Sequence, residues 1–277
     1  MEGKRGKSVP YNDIDLERWK EYTDVLLDSL WIVGSRERGG GHRLDYHGNF
    51  IPQIATQIFT RYSKSGEIVL DMFLGSGTSA IEALNMGRKC VGVEINPAMV
   101  EHVRHRIEDT LWADDVRNQI DLVEADSSSD SALPLIRQAF EKLGTEHAHL
   151  LILHPPYWDI IKFSELEGDL SGAASVDEFL DMFGQVAKNG YELLAPGRFA
   201  ALVIGDKYSG GELVPLGFLC MQKMNEVGFR TKSIIVKNIE GNEIGKGRDN
   251  NLWRYRALAG GFYIFKHEYI MVFQKPA

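Results

Sequence analysis

One stretch of the chain contains residues that could bind a ligand through both backbone and charge. An apolar run from Ile68 ends in Asp71 and opens into a turn with Gly75 and Gly77. Glycine tolerates positive φ and lets a ligand approach the backbone, and the hydroxyl of Thr78 or of its neighbour can cap a following helix. Because open α/β sheets bind ligands at the carboxyl ends of parallel strands, these residues predict a strand, a ligand-binding turn and a helix start.

The acid in this stretch indicates the type of ligand. The spacing of Gly75, Gly77 and Ala80 fits the loose fingerprint of a dinucleotide site, with Glu94 at a suitable distance for a ribose-binding acid. However, Asp71 would repel a diphosphate, whereas it would suit the ammonium and sulfonium groups of S-adenosylmethionine. No Gly-Lys-Ser/Thr follows the turn, which disfavours a P-loop. We therefore expect S-adenosylmethionine, and an NAD-dependent oxidoreductase is the alternative.

Acids stand at the ends of three predicted strands. Asp71 ends the first of them, Glu94 lies near the end of the strand 89–96, and Asp126 ends the strand 120–126. Each matches one part of the expected cofactor. Asp71 would face the cationic methionine end, Glu94 would accept hydrogen bonds from the ribose hydroxyls, and Asp126 would accept from the adenine amino group.

A second motif follows the predicted strand 148–153 and consists of His154, Pro155, Pro156, Tyr157 and Trp158. Paired prolines after a buried strand stop the hydrogen-bond ladder and fix the direction of the backbone. We therefore expect the aromatic residue that follows them to be held at the ligand edge of the sheet.

Together the two motifs resemble those of the amino-methyltransferases that methylate exocyclic nitrogens of DNA bases. That family has the tetrapeptide Asp/Asn/Ser-Pro-Pro-Tyr, and residues 154–158 are closest to the Ser-Pro-Pro-Tyr-Trp form of its cytosine-N4 branch. Residues 71–78 are similar to its Asp-Pro-Phe-x-Gly-Ser-Gly-Thr cofactor loop. Later segments also resemble the cytosine-N4 branch, namely residues 165–172, 176–179, 197–206 and 267–273. The resemblance covers most of the chain from His47 onward.

This resemblance implies a catalytic site at residues 154–158 and direct transfer, without a metal or a covalent enzyme intermediate. The carbonyl of Pro155 and the side chain of His154 would accept hydrogen bonds from the target amino group, and Tyr157 would stack on a base rotated out of its duplex. The residues expected to bind the cofactor are His47, Asn49, Phe50, Asp71, Phe73, Gly75, Ser76, Gly77, Thr78, Glu94, Ile95, Asn96, Asp126 and Ser127.

The sequence departs from the cytosine-N4 pattern in two ways. Position 154 is histidine rather than Ser, Asp or Asn, and the proline motif follows the cofactor loop, as though the chain were circularly permuted. We expect cytosine N4 as the methyl acceptor, with adenine N6 or an RNA base as alternatives, and a non-catalytic cofactor-binding subunit also stays open. Imidazole accepts a hydrogen bond only when neutral, so methylation should decline as pH falls through the histidine pKa, which is about 6.5 if unperturbed.

The elements that position these motifs predict an α/β fold. We expect a doubly wound, seven-stranded, mostly parallel sheet of the Rossmann-like methyltransferase type. Residues 1–46 would form an amphipathic helix over 15–31 and a basic, glycine-rich loop, both packed on the core. Residues 47–277 would form a single catalytic domain with short recognition loops at 158–175 and 241–261.

Composition limits the other possibilities. The 277 residues are 44% hydrophobic, enough for one large core, and Cys90 and Cys220 lack metal-ligand spacing. We expect a cytoplasmic protein without a membrane span. Because the net charge is -8, any contact with DNA or RNA needs local basic patches. A homodimer or a separate specificity partner could assist. The candidate nucleic-acid-binding residues are Arg36, Arg38, Arg43, Lys246, Arg248, Trp253, Arg254 and Arg256.

Overall fold

A computed structural model describes residues 9–36, 50–110, 118–239 and 250–277. In these residues the chain forms an eight-stranded sheet and a separate two-stranded hairpin. The strands are β1 Leu30–Trp31, β2 Ile68–Asp71, β3 Lys89–Glu94, β4 Ile120–Glu124, β5 Ala148–Leu153, β6 Leu194–Ile204, β7 Lys207–Ser209, β8 Glu212–Val214, β9 Arg230–Asn238 and β10 His267–Gln274. The α-helices are α1 Pro52–Tyr62, α2 Thr78–Asn85, α3 Pro97–Thr110, α4 Ala132–Lys142, α5 Val176–Leu193, α6 Leu216–Val227 and α7 Asn250–Gly260.

The large sheet has the strand order β1-β9-β10-β6-β5-β2-β3-β4. Strands β2 to β6 pair in parallel, whereas β10 runs antiparallel between β6 and β9. The predicted α/β sheet is therefore confirmed, with eight strands instead of seven. The additional strand is β1, which lies at the edge of the sheet and pairs in parallel with β9.

The predicted helix over residues 15–31 is wrong. This segment contains a 3-10 turn at Trp19–Glu21 and the short strand β1. Part of its backbone bonds to a side chain of α1: Gln57 accepts from the amide of Leu26 at 2.8 Å and donates to the carbonyl of Asp24 at 2.8 Å. Such side-chain partners compete with helical hydrogen bonds, so the apolar spacing did not decide the local structure.

The core lies on both faces of the sheet because successive strand residues point to opposite sides. In β2, Ile68 and Leu70 pack into a cluster with helices α4, α5 and α6, while Val69 packs into a second cluster with α1 and α2. All three residues are buried. This sandwiching explains the continuous apolar runs that predicted buried parallel strands.

The predicted recognition loop 241–261 is a helix over part of its length. Helix α7 occupies Asn250–Gly260, and residues 241–249 lie outside the described part of the chain. No helix among the described residues is long and apolar enough to cross a membrane.

Candidate active site

The two motifs meet at the point where the strand order reverses. From β2 the chain continues to β3 and β4 on one side, then returns to β5 on the other side. Strands β2 and β5 are direct neighbours, with Asp71 opposite Ile152, so the glycine turn and the proline motif leave the same edge of the sheet side by side. Open α/β sheets bind ligands in the crevice at such a switch point.

A cleft occupies this position and encloses about 890 Å³ of space, part of it open to solvent. Most of the predicted site residues line it. From the cofactor set these are Phe50, Phe73, Gly75, Thr78, Glu94, Ile95, Asn96, Asp126 and Ser127, and from the proline motif they are His154, Pro155 and Pro156. His47 and Asn49 lie outside the described residues. The structure therefore brings residues from two distant segments of the chain into one cleft.

Asp71 does not line the cleft directly. Its side chain is buried, and its Oδ1 accepts from the amide of Phe73 at 2.9 Å while Oδ2 accepts from the Ser79 hydroxyl. Burial raises the pKa of Asp71 to about 6, and the nearby Glu94 carboxylate adds to the increase, whereas the two hydrogen bonds oppose it. Asp71 thus holds the turn from beneath, and it can act on a ligand only through its charge.

The glycine turn is closed by Glu94. Gly75 has a φ of 51° and donates its amide to Glu94 Oε2 at 2.9 Å, while Asn96 donates to Oε1 at 3.0 Å. Burial raises the pKa of Glu94, and these backbone hydrogen bonds oppose the increase. An ionised carboxylate can accept more than two hydrogen bonds, so Glu94 can still bind a ligand hydroxyl.

The predicted Ser76 and Gly77 lie behind the cleft. Ser76 is fully buried, and a side chain at Gly77, where φ is 80°, would meet Val103 at 2.7 Å. These two residues shape the turn that α2 follows, and neither lines the cleft. The structure therefore gives them a backbone role.

A segment that sequence analysis assigned to recognition covers the cofactor side of the cleft. Gly168 has a φ of 90°, and a Cβ atom there would lie 2.4 Å from Asp126 Oδ2. Asp126 Oδ1 accepts from the amide and hydroxyl of Ser128 at 2.8 and 2.7 Å. The lining residues of this segment were missed because only the tertiary fold returns it to the end of β4; they are Phe163, Ser164, Gly168, Asp169 and Leu170.

His154 lines the opposite part of the cleft among aromatic rings. Its ring contacts Phe50 edge to face at 5.2 Å between centroids, and Tyr157 lies at 5.9 Å on another side. Burial lowers the pKa of His154 to about 4, although Glu268 acts in the opposite direction. The pKa of this histidine therefore lies below the unperturbed value of about 6.5, and His154 is neutral from pH 5.5 upward.

Tyr157 and Trp158 pack beside the cleft rather than lining it. The Tyr157 hydroxyl donates to Glu268 Oε2 at 3.0 Å, and Trp158 Nε1 donates to the carbonyl of Ala173 at 2.9 Å. Lys207 Nζ lies 4.2 Å from the centroid of the Trp158 ring, in cation-π contact. Trp158 has a φ of 51°, which is unusual for a bulky residue. The chain continues from Trp158 into the covering segment.

The candidate nucleic-acid contacts separate into three groups. Arg36 turns inward, where it donates to the carbonyl of Phe50 at 3.2 Å and to the hydroxyl of Thr78 at 3.5 Å. Arg254 and Arg256 are exposed on α7, where they could reach a phosphate. The remaining candidates lie outside the described structure, or have side chains outside it; they are Arg38, Arg43, Lys246, Arg248 and Trp253.

The sequence matches the family model for N6/N4 DNA methylases over residues 4–105 and 148–277. These two ranges include the glycine turn and the proline motif. The chain belongs to the N6/N4 DNA methylase family. The described residues of this family member contain no group of three or more His, Cys, Asp or Glu side chains that could hold a metal ion.

Curated relatives match parts of this DNA methylase family member. The type II methyltransferase M.MjaII of Methanocaldococcus jannaschii is 38% identical over 97 residues, which is 31% of this chain and 18% of the relative. M.BglI of Bacillus subtilis is 27% identical over 106 residues, 38% of this chain and 28% of the relative. The chain thus matches less than a third of the length of either. A ribosomal protein L11 methyltransferase of Limosilactobacillus fermentum is 27% identical over 190 residues, 61% of this chain and 56% of that protein.

Solved structures share the fold at low sequence identity. TrmN from Thermus thermophilus superimposes with a TM-score of 0.51 at 16% identity, over 83% of this chain and 50% of TrmN. The [4+2]-cyclase SpnF superimposes with a TM-score of 0.52 at 12% identity, over 82% of both chains. Because one fold supports different reactions, this likeness concerns the fold alone.

Proposed function

We propose that the chain transfers a methyl group from S-adenosylmethionine to the exocyclic amino group of a DNA base, with cytosine N4 as the acceptor. The observation that carries the proposal is the single cleft lined by the acidic glycine turn and the proline motif. Membership of the N6/N4 DNA methylase family supports the reaction type. Residues 154–158, closest to the Ser-Pro-Pro-Tyr-Trp form, support cytosine N4 over adenine N6.

The cofactor side of the cleft fits S-adenosylmethionine better than a dinucleotide. The amides of Phe73 and Gly75 already donate to the carboxylates of Asp71 and Glu94. A diphosphate placed at this turn would lose those donors and meet two acids, whereas a cation and ribose hydroxyls suit them. Glu94 would bind the ribose and Asp126 the adenine amino group. The bound cofactor would supply an electrophilic methyl group on a sulfonium.

The acceptor side must make a poor nucleophile reactive, because the lone pair of an exocyclic amine is delocalised into the base. Neutral His154 and the carbonyl of Pro155 would accept hydrogen bonds from the amino group and favour a pyramidal nitrogen. Tyr157 would stack on the base rotated out of its duplex. These residues would hold the amino nitrogen for in-line attack on the methyl group that the cofactor would supply, and the nitrogen would give its proton to water. Positioning and electrostatics suffice for such a step.

A decisive experiment is nucleoside mass spectrometry of DNA and RNA from a methylation-deficient host that expresses the chain. We expect N4-methylcytosine in DNA, and its absence when Tyr157→Ala replaces the wild type. N6-methyladenine or a methylated RNA base would move the proposal to one of the alternatives. Unchanged nucleosides in both DNA and RNA would contradict it.

A ribosomal protein is the second candidate substrate. The similarity to the ribosomal protein L11 methyltransferase favours it, because that match covers 61% of this chain. A protein amine has a localised lone pair and would not need the acceptors of the proline motif. Incubation of host ribosomes with the chain and radiolabelled S-adenosylmethionine distinguishes a protein substrate from a nucleic-acid substrate. If the substrate is a protein, the label enters protein rather than nucleic acid.

A further inference from the structure

Two buried charged residues lie next to the proline motif and take no direct part in the proposed reaction. Glu268 on β10 and Lys237 on β9 are direct cross-strand partners, and both are buried. Lys237 Nζ donates to Glu268 Oε1 at 2.9 Å and to the carbonyl of Asn238 at 2.6 Å. A buried ion pair is weak evidence for stability, because apolar residues of similar volume often serve as well. A role beyond stability is therefore worth testing.

The second carboxylate oxygen of Glu268 points at the proline motif. Oε2 accepts from the Tyr157 hydroxyl at 3.0 Å. Lys237 occupies the other oxygen, so the carboxylate cannot turn away without breaking a buried ion pair. Burial and the adjacent Glu268 both raise the pKa of Tyr157, which therefore stays a hydrogen-bond donor.

The ring of Tyr157 also packs closely against the backbone at Gly205. Gly205 follows β6, and a Cβ atom at that position would lie 2.9 Å from Cε2 of Tyr157. His154 contacts the same ring edge to face. Three elements of the sheet edge thus determine the orientation of one aromatic ring: the end of β5, the end of β6 and the start of β10.

We propose that Glu268, held by Lys237, is a positioning residue that fixes the Tyr157 ring for stacking on the target base. This inference rests on the proposed function, in which Tyr157 contacts that base. Glu268 itself does not line the cleft and acts through the Tyr157 hydroxyl. A hydrogen bond to an ionised acceptor is stronger and more directional than a neutral one, which suits this role.

The test is a double-mutant cycle with Tyr157→Phe and Glu268→Gln. The substrate is genomic DNA from a methylation-deficient host, and the readouts are kcat, KM for DNA, Kd for S-adenosylmethionine and Tm. Each single variant should lower kcat about tenfold, as expected for one hydrogen bond that orients a reacting group. The Kd for S-adenosylmethionine should stay within about twofold. The double variant should be no slower than either single one, because both remove the same hydrogen bond.

Tyr269→Phe is the matched control. The Tyr269 hydroxyl donates to Asp206 Oδ2 at 3.0 Å. The substitution therefore removes an equivalent tyrosine-carboxylate hydrogen bond that involves the same strand. This variant should lower Tm and leave kcat unchanged. Gly205→Ala gives an independent check, because it displaces the Tyr157 ring while Glu268 remains; it should reproduce the loss of kcat.

Three results would overturn the positioning role while wild-type methyl transfer stays intact. They are a wild-type kcat for Glu268→Gln, losses that add in the double variant, and full activity of Gly205→Ala. Wild-type protein that methylates neither DNA nor RNA would instead overturn the proposed function, and the role of Glu268 with it.

Discussion

His154 shows how burial changes the chemistry expected of a residue. In the sequence it is a histidine with an ordinary pKa, and it would switch its charge near neutrality. In the structure its ring packs against Phe50 and Tyr157, and the pKa falls to about 4. The ring is therefore a constant hydrogen-bond acceptor over the physiological range. The Ser, Asp or Asn of related motifs offers an acceptor oxygen, and a neutral imidazole offers an acceptor nitrogen.

We expect kcat to be independent of histidine protonation between pH 5.5 and 8, because a group with a pKa of about 4 stays neutral there. His154→Asn, which keeps an acceptor, should retain kcat within about threefold, whereas His154→Ala should lose about tenfold. Steady-state pH profiles of the three proteins provide the check. A wild-type rate that falls through pH 6.5 and is flat in His154→Asn would contradict the assignment.

Asp71 allows a test of charge without contact. Asp71→Asn keeps the size of the side chain and removes the buried carboxylate beneath the turn. This substitution should raise the Kd for S-adenosylmethionine about tenfold, since opposite charges in a partly buried site attract by roughly 1 to 2 kcal/mol. S-adenosylhomocysteine, whose sulfur is neutral, should bind within about twofold of wild type.

Titration calorimetry at several pH values refines this test of Asp71. The carboxylate ionises as pH rises through about 6, so the preference for S-adenosylmethionine over S-adenosylhomocysteine should increase above that pH. The preference of Asp71→Asn should not change with pH. Equal weakening of both ligands would show that Asp71 only supports the turn.

At the scale of elements, the site depends on how segments return to one edge of the sheet. Strands β2 and β5 are neighbours, although 76 residues separate Asp71, the end of β2, from Ala148, the start of β5. The segment that follows Trp158 then covers the end of β4, where Gly168 contacts Asp126. The sequence predicts that both motifs lie at the ligand edge, but it does not predict that the segment after Trp158 returns to β4, because that contact depends on long-range packing.

Gly168→Ala tests the covering segment. The new Cβ would lie 2.4 Å from Asp126 Oδ2 and 3.2 Å from Cδ1 of Ile95, at a backbone φ of 90° that disfavours alanine. We expect Kd for both S-adenosylmethionine and S-adenosylhomocysteine to rise about tenfold or more, because the segment must move away from the cleft. Gly172→Ala is the control, since no atom lies within 4 Å of its new Cβ. Calorimetry that finds equal effects of the two substitutions would contradict this view of the segment.

At the scale of the whole molecule, the two core clusters hold the ligand edge in place. One cluster packs α4, α5 and α6 against the sheet and the other packs α1 and α2 against its opposite face. The cleft lies at the edge between these layers, so a ligand that fits it binds only the folded state. Such a ligand must raise the stability of the entire domain by mass action.

S-adenosylmethionine at about 100 times its Kd should add about 2.7 kcal/mol and raise Tm by roughly 5 °C. NAD should leave Tm unchanged, because the carboxylates of Asp71 and Glu94 occupy the donors that a diphosphate needs. Glu94→Ala should abolish the shift, whereas Glu124→Ala, an exposed acid at the end of β4, should retain it. Thermal melts with each ligand decide the matter, and a shift with NAD alone would favour the oxidoreductase.

The local chemistry could be predicted from the sequence: the strand that ends in Asp71, the glycine turn, the acids after later strands and the proline motif. These follow from short-range rules, since φ preferences, apolar runs and motif spacing are properties of neighbouring residues. The burial of Asp71, the His154 pKa of about 4 and the hydrogen bond between Glu268 and Tyr157 could be learned only from the folded chain. Burial and contacts between distant segments depend on the packing of the whole chain, so they could not be predicted from the amino-acid sequence.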